Sequence, residues 1–474
     1  MQGVKWNAIN SIISQATTAI TGIVLMRLLN PDAFGLIGMI TVFTGFLNVL
    51  KDSGLSSSLI YQDNLKTSDK DTVFWFNIVV GFILSIGFYF SAGFIAMYYN
   101  EPVLDKLVKA FSVNFAITSF SNIQYGLLKK QLAFKKIFQA EVAGLIISAS
   151  LAVIAAYLNF GVWSLIVLHI SRSLFIAVNL WIVSEYKPSF QYSFVVLKKH
   201  FQYSFPVLGT KSFNYWTRNA DNFFIGSFLG SQALGFYSRA YFFVTMPVNK
   251  ISNVIGNVLF PSLSIIKNKK DEAAELYLKS MRITSFITFP LIGGLIVFAE
   301  PFTLVLFGSQ WLPMVPVLQI LSILSLLSSV FVYTTSIYYA QGATALHFKI
   351  SMLYGICNIS VFYIGSHYSI EMVGILLLIV FLVFLIPKLY FACKLINLKL
   401  SKVFKNLGFT FSFNAVCMLS SYLFLLTVST TIGNVGLLIF GVLLYAIIFV
   451  LFNIIFNRIQ SKEFSQYVLK MINN

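Results

Sequence analysis

Apolar residues run along this chain in long blocks separated by short polar breaks. A helix needs roughly 20 of them in succession to cross the hydrocarbon core of a bilayer. Blocks of that length fall near 6–29, 34–60, 72–97, 104–126, 138–158 and 161–184. After a polar break they resume near 203–228, 232–260, 281–306, 315–339, 347–367 and 370–395, and two more follow near 404–428 and 431–456. The pattern predicts an all-α polytopic membrane protein of about fourteen spans. The connections are short. Those near 185–200 and 261–280 have room for a short interfacial helix, and none has room for a soluble domain. The first block is too long for a cleavable leader and lacks small residues at a cleavage site, so it reads as span 1.

Charge fixes an orientation. The net charge is +17, which in a soluble chain would suggest nucleic acid. Here 24 of the 33 basic residues fall in the N-terminus, the even-numbered connections and the C-terminal tail, against Arg27, Lys106 and Lys109 in the odd ones. Basic residues favour the cytoplasmic side. A missed span would invert the alternation beyond it, so the count and the orientation support each other. Both termini are predicted to be cytoplasmic, and the basic excess needs no nucleic acid.

Two segments echo one another at an offset of 200 residues. Leu29-Asn30-Pro31-Asp32-Ala33-Phe34-Gly35 matches Leu229-Gly230-Ser231-Gln232-Ala233-Leu234-Gly235, and each links an odd span to the next. Pro102-Val103-Leu104 likewise resembles Pro316-Val317-Leu318. The chain is therefore expected to hold an N-lobe over 1–195, a pseudo-symmetric C-lobe over 196–395, and spans 13 and 14 with a tail over 396–474. Paired repeats of this kind mark transporters whose substrate site lies between lobes that rock in alternating access.

Ionisable groups inside spans cost about 2.5–3.5 kcal/mol or more at a helix centre, so they usually face a polar cavity. Arg27, Lys51, Lys211, Arg218, Arg239 and Lys250 lie on spans 1, 2, 7 and 8, the equivalent helices of the two lobes. The acids on these spans are Asp52 and Asp221, with Glu141 on span 5. A cavity so lined is cationic and favours an anion, and an arginine fork suits phosphate oxygens. The simpler reading has Lys51 neutralised by Asp52, Arg218 by Asp221 three residues on, and Arg27 and Arg239 reaching the headgroups. Spans 9–14 carry almost no charge. A cationic front and an apolar rear suit an amphiphile with an anionic head and a lipid tail. Asp52, Asp221 and Glu141 are candidates for ion coupling.

Composition closes other routes. The chain is 58% hydrophobic and 10% charged, where a soluble domain is roughly 25% charged. Three cysteines and four histidines are scattered through it, so neither a disulfide framework nor a metal site is expected. No cofactor is expected either. Gly209-Thr210-Lys211-Ser212 lacks the spacing of a phosphate loop and sits in a span. Sizeable acidic external loops, which a membrane polymerase or glycosyltransferase would need, are missing.

The stretch from Tyr215 to Pro261 carries Arg218-Asn219-x-Asp221, Gly226, Gly230, Leu234-Gly235-x-Tyr237-Ser238-Arg239-Ala240, Pro247 and Leu259-Phe260-Pro261. With Arg27-x-Leu29-x-Pro31-x-x-Phe34-Gly35 and Leu306-Phe307-Gly308-x-x-Trp311, it resembles the polysaccharide exporters, or O-unit (Wzx-type) flippases, of the multidrug/oligosaccharidyl-lipid/polysaccharide superfamily. The likeness is strongest to the lipopolysaccharide and exopolysaccharide branch that includes colanic and teichuronic acid exporters. It implies a V-shaped membrane fold in the bacterial cytoplasmic membrane, and no enzymatic chemistry. It implies flipping of an undecaprenyl-pyrophosphate-linked oligosaccharide, with spans 13 and 14 helping to hold the polyprenyl tail. The substrate and membrane lipids are the expected partners, joined by a polysaccharide polymerase and glycosyltransferases of the same pathway. A multidrug–cation antiporter and a peptidoglycan-precursor flippase are the alternatives. The first would favour an acidic cavity, and the second shares the cationic one.

Overall fold

The computed structural model describes residues 2–51, 66–428 and 432–456. Among them there are helices and short connections, and no strand. Helix α1 covers Gln2–Leu28, α2 Pro31–Lys51, α3 Thr67–Tyr99, α4 Val103–Ser119, α5 Asn122–Lys130, α6 Phe134–Tyr157 and α7 Trp163–Val183. Helix α8 runs over Phe194–Ile265, α9 over Lys270–Val297 and α10 over Ala299–Leu306. A 3-10 turn, Ser309–Met314, leads into α11 (Val315–Phe331) and α12 (Thr334–Ala340). Last come α13 (Thr344–Gly365), α14 (Ile370–Leu395), α15 (Leu400–Val428) and α16 (Asn434–Phe456).

Local chemistry sets the boundaries. Pro31 opens α2, where its missing N–H costs nothing, with Asp32 in the first turn and Lys51 in the last, each suiting the helix dipole. Asn100 ends α3 in the left-handed conformation, its N–H capping the carbonyls of Ala96 and Met97. Ser369 caps α14 by accepting from the Met372 N–H. Gly230, at φ 84° and ψ −177°, divides α8 into two helices. This break matches Asn30 between α1 and α2 in the 200-residue echo.

Eleven described helical stretches are long and apolar enough to cross a membrane. Helix α4, with 17 residues, and the two halves of α8 complete the fourteen spans that the hydrophobic pattern predicts. Some spans are interrupted. Span 4 breaks after Ser119, where the Ser119 and Ser121 hydroxyls donate to Ala116 and Thr118 carbonyls and compete with the helical ladder. Span 9 breaks at Phe298, just before Pro301, and Pro313 holds the entry to span 10 in the 3-10 turn. The connection predicted near 261–280 is mostly helix, since α8 continues to Ile265 and α9 begins at Lys270.

The chain forms two compact units, Met1–Gly235 and Phe236–Asn474. In the first, α3 packs along α4, α6 along α7, and α1 along α6. In the second, α9 packs against α11 and α15, α13 against α14, and α15 against α16. Large apolar side chains such as Ile83, Phe90, Leu419 and Leu426 stay exposed on the outer faces, as lipid solvent permits. Inside the second unit the helices are joined by hydroxyls. Tyr277 pairs with Thr334 at 2.9 Å, Thr284 with Tyr333 at 2.7 Å and Thr288 with Ser329 at 3.0 Å.

Candidate functional site

In the first unit the sequence brings two of the predicted cations together. Tyr215, on the first half of α8, donates its hydroxyl to the carbonyls of Val42 at 2.7 Å and Thr41 at 3.1 Å. This approach needs Gly45, because a Cβ there would lie 2.3 Å from the Tyr215 hydroxyl. Lys211 stands one turn before Tyr215 on the same helical face. Lys51, in the last turn of α2, is 5% exposed, and its ammonium donates to the Thr118 hydroxyl at 2.5 Å.

Between them is an open groove of about 430 Å³, lined by Gly45, Asn48, Val49, Lys51, Asn122 and Lys211. It holds two ammonium-bearing side chains and two carboxamides, and among the described residues no acid lines it. Two like charges at one cleft focus a positive potential and concentrate anions. Three elements supply the set, and none would form it alone. Beside the groove the aromatic residues pack on one another. Phe46 lies 5.4 Å from Trp216, and Phe223 lies 5.9 Å from Trp216.

The other predicted residues are dispersed. Arg27, at the end of α1, is exposed. Arg218 is also exposed, while Asp221 is buried and accepts from the Asn222 N–H at 2.8 Å. Among the described residues, the salt bridges do not include one from Arg218 to Asp221. Arg239 and Lys250 belong to the second unit and are half-buried, and the Arg239 guanidinium sits 5.7 Å from the Phe242 ring centre. Glu141 on α6 accepts from the Asn10 amide at 2.5 Å, which ties α1 to α6. Asp52 lies outside the described residues.

Three acidic residues escaped the sequence reading. Asp71 is wholly buried and accepts from Tyr186 at 2.5 Å and from Ser189, so that it fastens the 184–193 connection to α3. The Ser231 hydroxyl lies 2.9 Å from both Asp32 and Glu101. Lys388 was missed among the bases. Its position near the end of span 12 assigned it to the cytoplasmic count, whereas it lines a cavity in the second unit. Pro387, immediately before it, was the available signal of an irregular helix there.

The polysaccharide biosynthesis protein family matches residues 24–316, more than half of the chain. The chain belongs to that family. It is 28% identical over 413 residues to the teichuronic acid biosynthesis protein TuaB of Bacillus subtilis, covering 86% of this chain and 85% of TuaB. It is 27% identical over 316 residues to the succinoglycan biosynthesis transport protein ExoT of Rhizobium meliloti, covering 67% of this chain and 64% of ExoT. Among solved structures, the lipid II flippase MurJ in an inward closed conformation superposes with a TM-score of 0.75 at 16% identity, over 95% of this chain and 98% of MurJ. At that identity the match speaks for the fold: the family member described here is a multi-pass, all-α membrane protein.

Proposed function

We propose that this protein flips a polyprenyl-pyrophosphate-linked oligosaccharide from the inner to the outer leaflet of the bacterial cytoplasmic membrane, for lipopolysaccharide, capsule or exopolysaccharide synthesis. The observation that carries the reading is the groove that Lys51 and Lys211 line together with Asn48 and Asn122, in a chain of the polysaccharide biosynthesis family. In this reading both ammonium groups bind the pyrophosphate, and Asn48 and Asn122 donate to its remaining oxygens. Arg27, Arg218, Arg239 and Lys250 add positive potential along the route of the head group, while the polyprenyl tail stays in lipid. No covalent step is needed, and the transport proceeds by alternating access. Outward movement of an anion is favoured by an inside-negative potential, at about 2.3 kcal/mol per charge per 100 mV. Asp221 and Glu141 are the acids available for any ion coupling. Both termini are placed in the cytoplasm, where glycosyltransferases of the pathway deliver the substrate.

The test uses cells that make a lipid-linked glycan, with this gene deleted and then restored as wild type, as Lys51→Met/Lys211→Met, or as Arg218→Ala/Arg239→Ala. The leaflet holding the lipid-linked oligosaccharide is measured by accessibility to an impermeant sugar-oxidising reagent. Wild type should relieve an inner-leaflet build-up that the lysine double variant leaves in place at equal expression. Normal outward appearance in the deletion strain, with no redundant flippase present, would overturn the proposal.

A further inference from the structure

A second polar cavity, of about 240 Å³, lies entirely within the Phe236–Asn474 unit. Helix α8 contributes Asn249 and Asn253, four residues apart and so on one face; α11 contributes Ser328 and Ser329, α13 Ser351 and Tyr354, and α14 Lys388. Among the described residues that line it, Lys388 is the single charged one, and no acid stands among the others. Among the described residues its ammonium enters no ion pair. Its carbonyl accepts from Tyr338 at 2.8 Å, which holds the helix where Pro387 interrupts the ladder.

The serine hydroxyls of this cavity are already committed. Ser328 donates to the Ser325 carbonyl at 3.2 Å, Ser329 to Leu326 at 2.8 Å, and Ser252 to Ser329 at 3.4 Å. The donors left for a ligand are therefore the Lys388 ammonium, the Asn249 and Asn253 carboxamides and the Tyr354 hydroxyl. A lone cation within a span is costly unless an anion or water meets it. The space equals roughly eight water volumes, ample for a tetrahedral oxyanion. On one side the cavity is walled by Phe381, Phe384 and Leu385, which suit an acyl chain beside a polar head.

We propose that this cavity binds a phosphate-type oxyanion on Lys388, Asn249 and Asn253, supplied either by an anionic phospholipid headgroup or by free pyrophosphate. The site is separate from the Lys51 groove and does not rest on the flippase reading. Lysine acts here as a point charge for phosphate, and the carboxamides orient it.

The experiment uses the purified full-length chain in neutral detergent, in a Lys51→Met/Lys211→Met background that removes the other groove. Inorganic pyrophosphate is titrated by calorimetry, and retention of phosphatidylglycerol against phosphatidylcholine is read by native mass spectrometry. Adding Lys388→Met should weaken Lys388-dependent binding about tenfold or more, while Lys388→Arg retains it. Selective phosphatidylglycerol retention that pyrophosphate does not displace identifies the lipid as the source; saturable pyrophosphate binding identifies the free anion. Either supports the site. Should Lys388→Met fold poorly, Asn249→Leu/Asn253→Leu must weaken the same binding with the lysine kept. Binding that is absent, or equal with and without Lys388, overturns the proposal.

Discussion

The two glycines of the 200-residue echo offer a sharp test of how the first unit is built. A Cβ on Gly35 would sit 1.7 Å from the Ser231 carbonyl oxygen, and a Cβ on Gly235 would sit 2.1 Å from that of Pro31. Pro31 and Ser231 are themselves equivalent in the echo, so the crossing is reciprocal: each glycine receives the carbonyl four residues before the other. Ordinary contact begins near 3.4 Å, and the obstacle in both cases is helical backbone, which cannot rotate away as a side chain can. Overpacking of this kind typically costs 1–3 kcal/mol, and a backbone obstacle puts Gly35→Ala and Gly235→Ala at about 3 kcal/mol each. Gly87, with nothing within 4 Å of its would-be Cβ, is the control, where alanine should gain up to about 1 kcal/mol of helix propensity. Because one separation of α2 from α8 relieves both clashes, the double variant should lose less than the sum of the singles. The assay is the thermal unfolding midpoint in detergent, read by tryptophan fluorescence together with monodisperse yield. The two contact variants should melt well below wild type and Gly87→Ala at or above it. Equal midpoints for Gly35→Ala and Gly87→Ala would refute the close crossing.

Two further outcomes follow from single contacts and from charge. Asp71→Asn keeps the size of the side chain but weakens its bonds from Tyr186 and Ser189, so about 1–3 kcal/mol of local stability is lost; hydrogen exchange of residues 184–193 should accelerate while that of α13 and α14 stays unchanged, and unaltered exchange at 184–193 would remove Asp71 from this role. The topology proposed from the basic residues predicts an active fluorescent-protein fusion after Asn474 and an active alkaline phosphatase fusion after Asn159; the reverse pair of activities would invert the assignment.

The spans were legible because lipid demands long apolar runs whatever the packing, and Ile370–Leu395 emerges with the boundaries that the pattern gives. The Gly230 break was legible through its echo of Asn30. The breaks inside spans 4 and 9 and the 3-10 entry to span 10 were harder to see, since serine back-bonding and proline act within segments that remain apolar on average. For the charges, a one-dimensional reading recovers depth in the membrane but not direction around a helix. Lys51 and Lys211 lie far apart in sequence, and their meeting depends on Tyr215 reaching two carbonyls past Gly45, a contact with no sequence signature of its own. Glu141 stood out as an acid in a span, but its bond from Asn10 joins α1 to α6 and could not be foreseen. Lys388 was absorbed into the count of cytoplasmic lysines because it stands one residue after a proline near a span end, the usual place for a lysine reaching toward headgroups.

Depth alone would assign Lys51 and Lys388 the same energetic problem, yet their surroundings solve it differently. Lys51 gives its ammonium to the Thr118 hydroxyl and borders an open groove, so the desolvation cost is offset by a charge-assisted hydrogen bond of about 1.5–3 kcal/mol and by access to water. Lys388 is half-buried and meets no acid within its cavity, so in anion-free detergent water alone offsets its desolvation. Replacing a half-buried, unpaired charge by an apolar side chain of similar length then stabilises the fold, by on the order of 1 kcal/mol, the low end of what buried ion pairs show. Lys388→Met should therefore raise the melting midpoint, whereas Lys51→Met should leave it nearly unchanged, the lost hydrogen bond cancelling the relieved desolvation. Adding pyrophosphate reverses the order for Lys388: a ligand at a hundred times its dissociation constant contributes about 2.7 kcal/mol to the form that binds it, so in the Lys51→Met/Lys211→Met background the Lys388 protein should overtake its Lys388→Met counterpart. A lower midpoint for Lys388→Met without any added anion would show that the lysine is already satisfied by groups of the protein itself, and the crossover would not occur.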